Sequence, residues 1–258
     1  MKTHPLLPPP ILTIAGSDPS GGAGIQADLK SIMANGGYGM AIPTLLTAQN
    51  TSTIEAIYTV PSDHIRAQLQ TLFQDITPSA IKVGAIGTAE ILSVLVDALK
   101  GLCCPIVWDP ILYSSSGTAL ISDEAISLAV QEFLPLCHLI TPNQFEFQQI
   151  FTTSNLTVPC LITNGDSNSS LITDLLLQPN KRDVRFCHPR HETQNTHGTG
   201  CTLSSSIATY LGRGYTLEQS CLYGVEYVQT LIANSHLNTN GTGKRSLYHE
   251  QHIKPFRN

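Results

Sequence analysis

The segment Asn195-Thr196-His197-Gly198-Thr199-Gly200-Cys201-Thr202-Leu203-Ser204 sets two glycines around a threonine and then enters TLSSSIATYL, a stretch with the pattern of a helix. A glycine-rich turn that opens a helix bares backbone N–H groups, and the positive end of the helix dipole lies beside them. That arrangement suits an anion, and especially the charge spread over a phosphoryl group in transfer. Gly198, Thr199, Gly200 and Cys201 are therefore the first candidates for chemistry. The motif is short, and an ordinary turn before a helix uses the same residues.

A second string, Gly16-Ser17-Asp18-Pro19-Ser20-Gly21-Gly22-Ala23-Gly24, follows the apolar run Ile11–Ala15 and precedes IQADLKSIMANGG. The run is short and partly β-branched, as a buried strand is. Ile25, Leu29 and Ile32 recur at helical spacing, and Gly36 with Gly37 ends that helix. A loop between strand and helix sits where ligands bind in open α/β sheets. It is not a Walker A loop, because no Lys-Ser or Lys-Thr follows, and its glycine spacing does not fit the dinucleotide fingerprint.

Further strands are expected near 40–47, 80–84, 105–108, 137–140 and 159–162, with helices near 62–73, 88–100, 122–133 and 143–150. Two more helices are expected, from about Cys201 to Leu211 and from Leu217 to Ala233. Segment 164–196 is polar and should hold exposed strands or hairpins. Alternation of this kind predicts a mostly parallel sheet covered by helices, in one compact domain.

The 258 residues, 41% of them hydrophobic, can bury one substantial core. No apolar stretch approaches the roughly 18 residues of a membrane span, and the prolines of MKTHPLLPPP do not suit a signal peptide. A cytoplasmic location without a membrane partner is the expectation. Seven cysteines without a CxxC pair read as reduced thiols, not as a disulfide or zinc framework. A formal charge of -5 gives no electrostatic reason to bind nucleic acid.

Taken together, AGSDPSGGAGIQADLK at 15–30, TAQN at 47–50, KVGAIGT at 82–88, WDPIL at 108–112, TPNQFE at 141–146 and NTHGTGCTLSSSIA at 195–208 resemble the hydroxymethylpyrimidine/phosphomethylpyrimidine kinases of thiamin synthesis. These belong to the ribokinase-like superfamily, and the pieces occur in the family's order over nearly the whole chain. The resemblance implies a ribokinase-like three-layer α/β/α sandwich over residues 1–258, using ATP and Mg2+ and forming a homodimer. It implies that Cys201 takes the place of the superfamily's catalytic aspartate. A thiol at a helix N-terminus should then have a lowered pKa and a useful thiolate population. The resemblance also implies a pyrimidine pocket of Gly16, Ala23 and Gln49, with Asp28 on the following helix. Gln49 offers a donor and an acceptor on one amide, which suits an aminopyrimidine edge. Asp109, Asn143 and Thr163 fall on the nucleotide side, with Asp109 and Glu146 as oxygen donors for magnesium.

Three positions depart from the family pattern. Ser115 and Thr163 stand where lysines are usual, and Ala85 stands where a methionine commonly lines the pyrimidine pocket. Arg182, Arg185 or Arg190 could restore positive charge. Pyridoxal or pyridoxine kinase shares the fold and the helix-start motif, and a degenerate kinase that only binds a vitamin precursor is the third reading.

Overall fold

The computed structural model describes residues 7–113, 120–151, 156–164 and 169–249. One nine-stranded sheet runs in the order β3-β2-β1-β4-β5-β6-β7-β8-β9. Its strands are β1 Pro10–Ser17, β2 Tyr38–Gln49, β3 Ile54–Thr59, β4 Ala80–Val83, β5 Ile106–Trp108, β6 Leu139–Ile140, β7 Cys160–Ile162, β8 Leu171–Leu177 and β9 Val184–Pro189. The six strands from β2 to β7 in this order are parallel neighbours. β3 pairs antiparallel with β2, and β8 with both β7 and β9. The helices are α1 Gly24–Ala34, α2 Ser62–Phe73, α3 Ala89–Leu99, α4 Asp123–Leu128, α5 Gln144–Ile150, α6 Thr199–Gly212 and α7 Leu217–Ala233.

The period-two alternation of buried strands divides the core into two layers. Leu12, Ile14, Ile81, Val83, Ile106, Trp108 and Ile140 face α2 and α3 on one side. Ile11, Ala80, Val107, Leu139 and Leu161 face α1, α6 and α7 on the other. By the same alternation Thr13 and Lys82 point into the second layer, among apolar neighbours, and both are fully buried. The result is the α/β/α sandwich expected from the sequence.

Local chemistry explains most boundaries. Gly36, at φ 84°, ends α1. Thr88 and Ser122 cap α3 and α4 with their hydroxyls, and capping boxes open α5 (Asn143 with Glu146) and α7 (Thr216 with Gln219). The single helix expected near 122–133 is instead the short α4, a π-helical turn Ala129–Phe133 and a 3-10 turn Leu134–Leu136. Pro135 brings no N–H, so the regular ladder cannot continue through it. β3 was not expected, because its residues are exposed on both faces and show no alternation. The segment 164–196 contains the β8–β9 hairpin.

Trp108 and Phe133 meet edge to face, with ring centroids 5.6 Å apart, and both are fully buried. Phe133→Ala should cost about 3–5 kcal/mol, read from the urea midpoint at unchanged m-value.

Candidate active site

The carboxyl ends of β1, β2, β4, β5, β6 and β7 open onto one cavity of about 890 Å³. An open parallel sheet binds its ligands at this edge. Leu45, Thr47 and Gln49, two residues apart on β2, all line it. A register shift between Ala48 and Gln49 ends the regular pairing with β3 there. Gly16, Ala23 and Ala85 contribute to the same wall, and Asp109, Asn143, Glu146 and Thr163 line the far side.

Between these two groups lies the start of α6, and Gly198, Thr199, Gly200 and Cys201 all border the cavity. Gly198 holds φ at 83°, and a Cβ there would strike the carbonyl oxygen of Gly22. The two glycine-rich strings are thus packed backbone to backbone, which only glycine at 198 permits. Asp18 fastens the first loop. Its Oδ1 accepts the Ser20 amide at 2.8 Å, and its Oδ2 accepts the Ala23 amide at 3.0 Å. His197 Nε2 lies 2.8 Å from the same Oδ2. Burial alone would raise the pKa of Asp18, but the hydrogen bonds from His197 and Ser20 outweigh it and hold the carboxyl below its ordinary value.

The structure corrects two expectations. Cys201 is 5% exposed, and burial pushes its thiol up to about 12, with Asp28 and Asp109 adding to the rise and Lys82 opposing it. The helix dipole does not overcome desolvation beside two carboxyl groups, so Cys201 is a neutral thiol and not a thiolate. Asp28 does not face the cavity at all. It is fully buried beneath it, where it accepts Thr13 Oγ1 at 2.5 Å, Ser205 Oγ at 2.6 Å and Lys82 Nζ at 2.9 and 3.0 Å.

Lys82, within the KVGAIGT string, was not singled out as a site residue. Burial would lower its pKa, but Asp28, Cys201 and Asp109 more than reverse this, so it stays protonated. Its Nζ lies 4.0 Å from Asp109 Oδ2. Asp109 borders the cavity with 4% of its surface exposed. Burial raises its carboxyl to about 6 against the pull of Lys82.

The remaining candidates have definite places. Asn143 and Glu146 are committed to each other in the α5 capping box, at 2.8 and 3.0 Å, while both border the cavity. Thr163 donates its amide to Pro142. Ser115 lies outside the described residues. Arg182, Arg185 and Arg190 do not border the cavity. Among its described lining residues Lys244 is the one lysine or arginine.

The sequence model of the phosphomethylpyrimidine kinase family matches residues 18–159 and 155–246. The chain belongs to that family. The hydroxymethylpyrimidine/phosphomethylpyrimidine kinase of Rhizobium meliloti is 34% identical over 257 residues, covering 92% of this chain and 96% of that protein. A thiamine biosynthesis multifunctional protein of Corynebacterium efficiens is 31% identical, and there the chain spans only 35% of the relative's length. Among solved structures, a phosphomethylpyrimidine kinase from Clostridium difficile shares 34% identity at a TM-score of 0.73, covering 86% of this chain and 99% of that one. An ADP complex of Bacillus subtilis pyridoxal kinase shares 27% identity at a TM-score of 0.82, covering 94% and 98%. The chain is a ribokinase-like kinase of a family that acts in thiamine biosynthesis.

Asp109 allows a test in the ligand-free kinase. A carboxyl raised by burial favours folding while it is protonated, and that contribution is lost as pH rises from about 4 through about 6. Asp109→Asn should therefore stabilise the protein at pH 7 by about 1–3 kcal/mol. Thermal unfolding should show the gap closing by about pH 4.

Proposed function

We propose that this kinase transfers a phosphoryl group from ATP to 4-amino-5-hydroxymethyl-2-methylpyrimidine, and then a second to the monophosphate, giving the diphosphate. The observation that carries the reading is that the α6 start and Gln49 border a single cavity. An aminopyrimidine on Gln49 and a transferring group on the Gly198–Cys201 amides would then share one chamber. The substrate is taken from the named relatives, and the amide of Gln49 supports it chemically.

In this reading the residues divide the work. The amides of Gly200 and Cys201 and the α6 dipole stabilise charge that grows on the equatorial oxygens in transfer. A loose transition state needs little proton removal from the alcohol before the bond to phosphorus forms. A neutral Cys201 is compatible with that, and in the second step it does not repel an acceptor that is already a phosphate anion. ATP supplies the phosphoryl group.

Magnesium belongs to the same proposal. Among the described residues no group of three or more His, Cys, Asp or Glu side chains is placed to hold a metal ion. Mg2+ needs less, since it keeps several waters and takes one or two carboxylates together with substrate phosphates. Asp109 fits that role, because a nearby cation would favour the ionised form that burial now disfavours. Glu146 is the second donor on the same wall.

A homodimer and a cytoplasmic setting complete the proposal. β3 supports the first, as an edge strand with Ile57 and Tyr58 exposed. The free state of all seven cysteines agrees with the second. Among the described residues no helix is long and apolar enough to cross a membrane.

The decisive experiment incubates the purified protein with ATP, Mg2+ and either the hydroxymethylpyrimidine or pyridoxal, resolving products by mass spectrometry. Diphosphate from the pyrimidine is expected. Monophosphate from pyridoxal alone would replace the reading with pyridoxal kinase, and binding without turnover would leave a precursor-binding protein. Cys201→Asp adds a third carboxyl beside Asp28 and Asp109. It should slow the second phosphorylation at least about tenfold more than the first, a difference of about 1.4 kcal/mol; equal losses would refute the role given to the neutral thiol.

A further inference from the structure

After α7 and the 3-10 turn Ser235–Leu237 the chain returns to the cavity in a loop, 238–246, whose contacts leave it little freedom. The amide of Gly243 donates to Thr51 Oγ1 at 3.1 Å, and a Cβ on Gly243 would strike the carbonyl oxygen of Thr51. The loop therefore lies flat on the residues that follow Gln49. Asn238 Nδ2 closes its base, donating to the Ser246 carbonyl at 3.0 Å and to the Ser246 hydroxyl at 2.8 Å. The Arg245 carbonyl accepts the His197 amide at 3.3 Å, one residue before Gly198. Arg245 turns its side chain back on the loop, where Nε donates to the Gly241 carbonyl at 2.9 Å. Lys244, between these anchors, borders the cavity. It makes no hydrogen bond or ion pair among the described residues.

Two anions could answer this ammonium group, the triphosphate of the nucleotide and the phosphate of a phosphorylated acceptor. The sheet decides between them. Thr51 follows β2, whereas Asn143 and Thr163 follow β6 and β7, four and five places along the strand order. At about 4.8 Å per strand, those walls stand roughly 19–24 Å from the Thr51 anchor. A lysine stem reaches about 6 Å from its Cα. The charge missing at Thr163 is out of range. The start of α6 is not, because Arg245, one Cα step of about 3.8 Å away, is bonded to His197. At the other end of that start Gly200 lies against Asp109, whose Oδ2 would be 3.6 Å from a Cβ there. Lys244 thus flanks the end of the α6 start that faces Gln49. We propose that Lys244 binds the phosphate of the phosphorylated acceptor and so gives this kinase its hold on the second substrate. The inference rests on the pyrimidine reading given above.

Charge is the main difference between the two acceptors. The alcohol is neutral and gains little from an ammonium group beside it. The monophosphate carries close to two negative charges in neutral solution. Asp18, on the same side of the cavity, already accepts from Ser20, Ala23 and His197, which leaves Lys244 for the ligand. A lysine is a point charge on a flexible stem, so it attracts the bound substrate and the transition state alike. Its effect should therefore fall on KM more than on kcat.

Steady-state kinetics on the alcohol, its monophosphate and ATP test the assignment. Lys244→Gln should raise KM for the monophosphate at least about tenfold more than KM for the alcohol. Lys244→Arg keeps the charge and should recover most of that loss, whereas a merely structural role for the loop would leave it as impaired as Lys244→Gln. Equal rises for both acceptors, or a rise confined to ATP, overturn the assignment. Titration calorimetry with the monophosphate alone separates it from the kinase reading. Binding that weakens about tenfold in Lys244→Gln, in a protein that phosphorylates neither acceptor, would sink the kinase reading and leave the Lys244 site standing. Diphosphate made by Lys244→Gln at the wild-type KM would do the reverse.

Discussion

The ion pair between Lys82 and Asp28 is the constraint on which the active end of the molecule depends. Both side chains are fully buried, and an unpaired charge at that depth would cost several kcal/mol. Asp28 is satisfied by partners from three elements: Thr13 on β1, Lys82 on β4 and Ser205 on α6. Asp28 itself sits on α1. The geometry that satisfies the carboxylate therefore also sets the register of α6 against the sheet, one turn below Cys201. Breaking a pair of this kind by removing one partner typically costs about 3–5 kcal/mol. Replacing both by apolar groups could be nearly neutral for stability, but it would release the helix start from its position.

The same pair shapes the electrostatics above it. Lys82 lies under a thiol and a carboxyl group, yet Asp28 answers most of its charge. What reaches Cys201 and Asp109 is a weak positive field in a dry setting, and desolvation wins at both. The thiol keeps its proton, and the carboxyl is raised to about 6.

The sheet and its covering helices were legible because buried parallel strands are short apolar runs and the helices carry a 3.6-residue period. β3 was not, because a two-sided exposed edge strand has no pattern to read. The helix near 122–133 misled because apolar spacing does not register the change from α4 to a π-helical turn at Ala129–Phe133, ahead of Pro135. At the site, the glycine strings were legible through spacing. The state of Cys201 was not, since helix-terminus chemistry is local in sequence whereas the burial that opposes it comes from α1, β4 and β5. Lys82 looked like a strand residue, and its role depends on a partner 54 positions away. His197 was visible in its string, but a histidine takes its meaning from what it touches, and Asp18 lies 179 positions away.

The departures from the family's lysines bear on how this site handles anions. No arginine of the β8–β9 region borders the cavity, and Lys244 is the one basic lysine or arginine side chain on its described walls. Beside Lys244, the anion-binding capacity of the described walls is that of backbone amides and the α6 dipole. Such groups carry no net charge and act only at close range with the right direction. They therefore discriminate by geometry, favouring a planar, charge-spread phosphoryl group at the helix start over a triphosphate held elsewhere in the cavity. Lysines on long stems attract both states alike, which improves binding more than it improves the chemical step. A family member that has shed them should thus give up affinity for nucleotide before it gives up turnover, so long as Gly198 can still lie against the carbonyl of Gly22.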